Sequence, residues 1–214
     1  MAKNKQQDVK EKILQISMRL FLANGFRGTT VKELTDAAGI AKGTLYWYFS
    51  SKDEVLENVI DKFDKEYLQG AIEKVNNCED DFVAKFKAYY KYTTEFTRDH
   101  PELMLVYSTL VGEIVGSGAR AETKIREIDA KQRAFIKTLL DAGKKEGIVR
   151  KNVDAGIYAH IIMAIYAGML LEWYINKDII DARAYSRSFR EFILNGLVET
   201  KITGQEAAPG AMKT

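Results

Sequence analysis

At 214 residues, 46% of them hydrophobic, the chain is long enough for one large domain or a small head on a larger body, and too apolar for wholesale disorder. Its net charge of +2 is unevenly spread: residues 1–52 hold nine Lys/Arg against four Asp/Glu, a net +5, and residues 53–214 hold 23 against 26, a net −3. A basic amino-terminal part suits a partner that carries phosphate, while the single cysteine, Cys78, excludes an internal disulfide and fits a reducing cytoplasm.

Only two prolines occur, Pro101 and Pro209, and apolar residues recur at three and four instead of alternating. The periodicity predicts an all-α fold of about nine helices. The polar start, MAKNKQQDVKEK, lacks the apolar core of a signal peptide. A first helix is expected from about Gln7 to Asn24, with Val9, Ile13, Ile16, Leu20 and Phe21 on one face and Gly25 as its stop. Thr30 caps a second helix, Val31 to Ala38, which Gly39-Ile40 ends. A third runs from about Ala41 to Phe49, and Val31, Leu34, Ala38, Ile40, Leu45 and Phe49 form the apolar set that packs on the first helix. Ser50 and Ser51 cap a fourth, whose first turn holds Asp53 and Glu54 and which extends to about Val75 as a strut. This divides the chain into a head at 7–53, a connecting helix at 54–75, a helical body at 76–202 and a disordered tail at 203–214. The body offers helices over Asp81–Arg98, Glu102–Val115, Ala121–Lys145, Val153–Asn176 and Asp181–Thr200.

The most specific chemistry lies between Thr30 and Lys52. Two short helices joined by a tight glycine-containing turn are the layout of a helix-turn-helix, whose second helix enters a DNA major groove. Lys42 and Thr44 occupy the first turn of that second helix. Lys42 can donate to guanine or phosphate; Thr44 can offer its methyl to thymine or its hydroxyl to phosphate. Gly43 lets the backbone come close. Leu45 and Phe49 point inward, which leaves Tyr46, Trp47 and Tyr48 on other faces of a helix too short to bury all three. Tyr46 and Tyr48 are the candidates for phosphate or base-edge bonds, whereas Trp47 serves equally well as a cover over the core. Lys52 is placed for a phosphate at the start of the next helix, beside its free backbone amides. Thr30 either caps its helix alone or also gives its hydroxyl to phosphate.

The run TVKELTDAAGIAKGTLYWYFSSKDEVL, Thr30 to Leu56, with the preceding FLANGFRGTT from Phe21, resembles the DNA-binding head of the tetracycline-repressor (TetR) family. The resemblance implies an all-helical homodimer with a three-helix head and a carboxy-terminal domain that binds a small molecule. By matching position it implies Thr44, Tyr48 and Lys52 as DNA contacts, with Lys42 and Gly43 in the variable reading positions. Ala41 stands where many members carry serine or threonine, which puts one capping bond of the recognition helix in doubt. Beyond the head only length, helix count and the segment GIVRKNVDA, Gly147 to Ala155, match.

In the body, Phe86, Tyr89, Tyr90, Phe96, Met104, Tyr107, Met163, Tyr166 and Trp173 are the candidate lining of an apolar effector pocket, or else plain core. Ala155 to Leu171 is a 17-residue run without Asp, Glu, Lys or Arg. It sits at the lower limit of about 17–25 residues for a membrane span and reads better as a fully buried helix. Ala164 and Gly168 permit close helix approach, and Tyr185, Phe189, Phe192 and Gly196 recur at four, three and four. These six are the candidate dimer interface, and the resemblance implies that the last two helices of each subunit form a four-helix bundle. His100 reads as a helix terminator and His160 as an interior residue. Neither has ligand partners at metal spacing, so no metal site and no cofactor are expected.

These readings converge on a cytoplasmic DNA-binding transcriptional regulator: a repressor that holds a palindromic operator as a homodimer and is released by a small, largely apolar effector. The alternatives are a sequence-nonspecific architectural DNA binder and a helical enzyme. Against the enzyme stand the lack of a Cys/His pair, a zinc spacing, a phosphate loop and a GxSxG motif.

Overall fold

The structure, a computed structural model, describes residues 2–198; the tail expected at 203–214 lies outside the described residues. Nine helices follow one another: α1 (Ala2–Gly28), α2 (Val31–Ala38), α3 (Lys42–Tyr48), α4, α5 (Phe82–Asp99), α6 (Pro101–Ile114), α7 (Arg120–Lys145), α8 (Ala155–Ile175) and α9 (Ala182–Leu197). α4 runs unbroken through Lys52–Lys62, a π-helical stretch Phe63–Leu68, and Gln69–Asn76. Among the described residues the only β pairing is an isolated bridge between Val149 and Val198.

Local chemistry sets the corners of the head. α1 kinks at Gly25, whose φ of 73° is a left-handed conformation that costs a residue with a Cβ. The Thr30 hydroxyl accepts from the Glu33 amide while the Glu33 carboxylate accepts from the Thr30 amide at 2.7 Å, a reciprocal cap at the start of α2. Gly39, at φ 65°, turns the chain out of α2. Ser51 caps α4 by accepting from the Glu54 amide, and the Glu54 carboxylate returns to the Ser50 amide and hydroxyl, both at 2.6 Å. Between them, α3 starts without a side-chain cap, because Ala41 has nothing to offer.

Packing then joins head to body. Leu34, Ala38, Leu45 and Phe49 are buried, with Val31 and Ile40 half-buried beside them. α1 buries more than the single stripe expected: Leu14, Ser17 and Met18 are inside as well as Ile13 and Phe21, whereas Val9, Ile16 and Leu20 are only partly covered. The reason is that α1 is clasped between its own head and α6. One continuous cluster of buried residues runs from the head through α4 to Leu103, Leu110 and Ile114 of α6 and on to Ile125 and Ile128 of α7. A second cluster unites the end of α4, α5, α7, α8 and α9 around Phe82, Phe86, Leu140 and Ile162.

Two expectations fail in the body. α8 is not fully buried: Ala155, Ala159, Ile162 and Leu170 face inward, while Ile157, Ile161, Leu171, Tyr174 and Ile175 are exposed on the isolated chain. Its composition is apolar all round, but its own body covers only one side. His160 is likewise exposed, not interior, because it lies on that uncovered side.

The loop between α6 and α7 is held by Glu122, whose carboxylate accepts from the Gly118 amide at 2.8 Å and from the Arg126 guanidinium. Backbone amides of Gly118 and Gly116, then Arg126, lower its pKa from an ordinary 4.5 to about 2. A depressed carboxylate contributes stability that is complete above about 4.5 and lost as pH falls toward 2. Glu122→Gln should therefore make the unfolding midpoint in denaturant less sensitive to pH across that window, compared with the wild-type protein.

Candidate functional site

In the head, the outward face of α3 is formed by Lys42, Gly43, Tyr46 and Trp47, with Thr44 and Tyr48 half-buried at its edges. Trp47 is 64% exposed and Tyr46 44%. Trp47 therefore does not cover the core; Leu45 and Phe49 already fill that side at 0% and 1% exposure. The Trp47 ring meets Tyr48 edge-on at 4.6 Å, and the Lys42 ammonium lies 5.8 Å from the Tyr46 ring, so the surface is one preassembled patch of aromatic and cationic groups. Its atoms suit phosphate oxygens and base edges.

Lys52 and Thr30 are both engaged within the head, Thr30 in the capping role that is one of its two expected readings. The Lys52 ammonium donates to the carbonyls of Phe26 and Thr29 at 2.8 and 2.7 Å and sits 4.3 Å from the Phe26 ring. It tethers the start of α4 to the end of α1, with one of its three N–H groups left over. The Thr30 hydroxyl is committed to Glu33 in the reciprocal cap. Both residues shape the head before they can touch anything outside it.

In the body, a cavity of about 530 Å³ opens between α7 and α8. Its exposed rim carries Arg126, Asp129, His160, Ala164 and Leu171; its floor is Phe63 and Tyr67 of α4, Met104 of α6 and Tyr166 of α8. The Tyr107 ring stacks on Phe63 at 3.5 Å. Of the expected pocket residues, Met104, Tyr107, Met163 and Tyr166 line this space. A smaller cavity of about 120 Å³ between α5, α8 and α9 takes Tyr90 and Trp173, and shares Tyr166 and Leu170 with the larger one. Phe86, Tyr89 and Phe96 line neither. Phe86 packs between Phe82 and Tyr90, Tyr89 against Phe135, and Phe96 against Tyr67, Tyr92 and His100, as ordinary core.

Phe63 and Tyr67 were missed because they belong to the strut, which periodicity shows only as another apolar stripe. The cavity reaches them where α4 is π-helical, a form common at functional positions in helices. Arg126, Asp129 and Arg133 were missed because they look like surface charges on a long helix, and each arginine is indeed ion-paired four residues back.

The candidate interface splits. Ala164 and Gly168 are exposed on α8, Phe192 is 68% exposed on α9, and Gly196 is half-buried. Phe189 instead turns inward, its ring 5.1 Å from that of Tyr90, and Tyr185 lines the smaller cavity. α9 has its apolar stripe divided between its own body and the outside.

Residues 13–59, which span the head, match the model of a family described as bacterial regulatory proteins, tetR family. The chain belongs to the tetR family. Like the relatives it matches, it is a DNA-binding transcriptional regulator of the helix-turn-helix type. The transcriptional repressor KstR2 of Rhodococcus jostii (strain RHA1) is 25% identical over 86% of this chain and 89% of its own length. The regulator MbdR of Azoarcus sp. CIB superposes with a TM-score of 0.80 at 25% identity, covering 89% of this chain and all of MbdR (100%). FadR of Bacillus subtilis, solved in complex with stearoyl-CoA, shares the fold at a TM-score of 0.73 and 20% identity, over 87% of this chain and 98% of FadR.

Within this tetR-family head the two aromatic and cationic candidates separate experimentally. Trp47→Ala should leave stability within about 0.5 kcal/mol of wild type, because the side chain is on the surface. It should weaken operator binding about tenfold, the scale of one lost contact. Lys52→Ala should instead lower unfolding free energy by about 1–3 kcal/mol, through loss of two charge-assisted bonds. Denaturant unfolding beside a mobility-shift titration checks both.

Proposed function

We propose that this chain is a ligand-released repressor that binds a palindromic operator as a homodimer in the cytoplasm. The observation that carries the reading is the double attachment of α6. Through Met104, Tyr107 and Ser108 it walls the larger cavity, and through Glu113 it grips the head: the carboxylate accepts from the amides of Phe26 and Arg27, both at 2.7 Å. A ligand that favours one setting of α6 thereby favours one setting of the head. Coupling of about 1–3 kcal/mol is enough for a 5–150-fold change in operator affinity.

DNA is read by the exposed face of α3, with Lys42, Gly43, Thr44, Tyr46, Trp47 and Tyr48 as contacts. Two heads related by a dyad present their recognition helices to grooves about 34–36 Å apart, or a multiple of it, so the operator is a palindrome. The apolar side of α8 left uncovered in one chain, with Ala164 and Gly168 on it, and Phe192 on α9 support a bundle of these two helices with their dyad mates. An apolar face left exposed along a helix in this way marks an interaction surface.

The effector is small and largely apolar. The aromatic and aliphatic walls of the cavity support this, and the stearoyl-CoA bound by FadR favours an acyl thioester. Arg126 and Arg133 also line the cavity, each paired with an acid four residues back, so an anionic end would share them with Glu122 and Asp129.

The direct test is a mobility-shift assay with the DNA upstream of the protein's own gene, against scrambled DNA at fixed salt, followed by titration of stearoyl-CoA. Selective binding that the thioester reverses is the expected result. Equal binding to both DNAs indicates a nonspecific architectural binder, and no release on saturation removes that ligand as effector. For the dimer, Phe192→Glu should give a monomer by light scattering at micromolar concentration, with a matching loss of operator affinity; a variant that remains a dimer contradicts the interface.

A further inference from the structure

The two cavities of the body meet at one side chain. The larger, of about 530 Å³, and the smaller, of about 120 Å³, have Tyr166 and Leu170 of α8 as common lining. These residues are four apart, so they stand on one face of the helix, a turn from each other. The Tyr166 hydroxyl donates to the Thr93 carbonyl at 3.0 Å and lies 2.9 Å from the Thr97 hydroxyl, both on α5. Its ring meets that of Tyr90, also on α5, edge-on with centroids 6.4 Å apart. The side chain thus reaches from α8 across to α5 and is held at its far end. Phe63, Met104 and Tyr107 line only the larger space, and Thr94, Trp173 and Ser186 only the smaller.

Both spaces suit hydrocarbon. In the smaller one Met169, Leu170 and Trp173 supply apolar wall, and the hydroxyls are engaged within the protein. Thr94 donates to the Tyr90 carbonyl at 2.9 Å and lies 2.8 Å from the Ser186 hydroxyl, while Thr97 donates to the Thr93 carbonyl at 2.8 Å. Burying one more methylene tightens binding about fourfold, equivalent to about 0.8 kcal/mol. A flexible chain that filled the larger cavity would therefore gain by continuing into the smaller one. Tyr166 stands in that path, and swinging it aside would break its bonds to α5 and strip a half-buried hydroxyl of its partners.

We propose that Tyr166 is the end wall of the effector site and the residue that sets how long a chain the effector carries. This rests on the larger cavity holding an acyl chain. The chain enters between α7 and α8, runs over the apolar floor and stops against the Tyr166 ring. Methylenes beyond that length stay at the mouth, in water, and add nothing to affinity. The smaller cavity is a second compartment of the same kind, closed to the ligand by one side chain.

The test uses full-length protein and saturated acyl-CoA thioesters of graded chain length, titrated calorimetrically. For wild type, affinity should rise about fourfold per methylene up to a limiting length and then level off. In Tyr166→Ala the rise should continue past that length. Ser186→Phe, which places a ring in the smaller cavity, should leave the wild-type limit where it is, and combined with Tyr166→Ala should bring the limit back. If Tyr166→Ala loses helical content, Tyr166→Leu takes its place with the same expectations, since it shortens the wall and keeps it apolar. The assignment of Tyr166 is overturned if the shortened variant stops at the wild-type length, if Ser186→Phe alone moves the limit, or if the double variant keeps the longer one. If wild type binds none of the series, the acyl reading of the larger cavity fails, and the end wall falls with it.

Discussion

Much of this molecule depends on one carboxylate placed against a kink. Gly25 bends α1 at a left-handed φ and leaves the amides of Phe26 and Arg27 pointing away from their own helix. Glu113, near the end of α6, accepts both. The Phe26 amide is partly buried, where leaving it unpaired would be costly, and Glu113 satisfies it together with the exposed amide of Arg27. Around that contact the head core and the body core merge, through Phe21, Phe26, Leu110 and Ile114, into one cluster. The head is thus held by the body as one packed unit.

The strut is held just as closely on its other side. Lys124 of α7 bonds Asp61 at 2.6 Å and Lys131 bonds Asp64 at 2.8 Å, so α7 grips α4 on both sides of the junction at Lys62. Exposed pairs of this kind contribute little energy singly, but they fix register. Between those grips α4 departs from α-helical bonding over Phe63–Leu68, and the Tyr92 hydroxyl donates to the Glu66 carbonyl there at 2.6 Å. The irregular turn is therefore bonded by the neighbouring helix and opens onto the cavity. Cavity, strut and head are three parts of one continuous packing arrangement.

The face of α8 shows how composition alone can mislead about burial. An uninterrupted apolar run is equally compatible with the centre of a single chain and with a helix shared between two. Here the buried residues Ala155, Ala159 and Ile162 follow the inward side, and Ile157 and Ile161 lie on the other. α9 divides in the same way, with Phe189 inward and Phe192 outward three residues later.

The sequence by itself determined what depends on neighbours a few residues away. Helix identity and ends follow from periodicity and from caps such as Thr30 with Glu33 and Ser51 with Glu54, and the helix-turn-helix follows from Gly39 and the spacing of Leu34, Leu45 and Phe49. Those signals are local, and local hydrogen bonds and side-chain spacing decide them. Only the tertiary structure decided which aromatics line a space and which fill the core. Phe86, Tyr89 and Phe96 share the spacing of Tyr90 and Tyr107, but what lies opposite each ring comes from helices tens of residues away. It also decided that Lys52 reaches back to Phe26 and Thr29, and that Trp47 faces outward. Each of these is a question of which surface a side chain meets, and only the assembled packing supplies that surface.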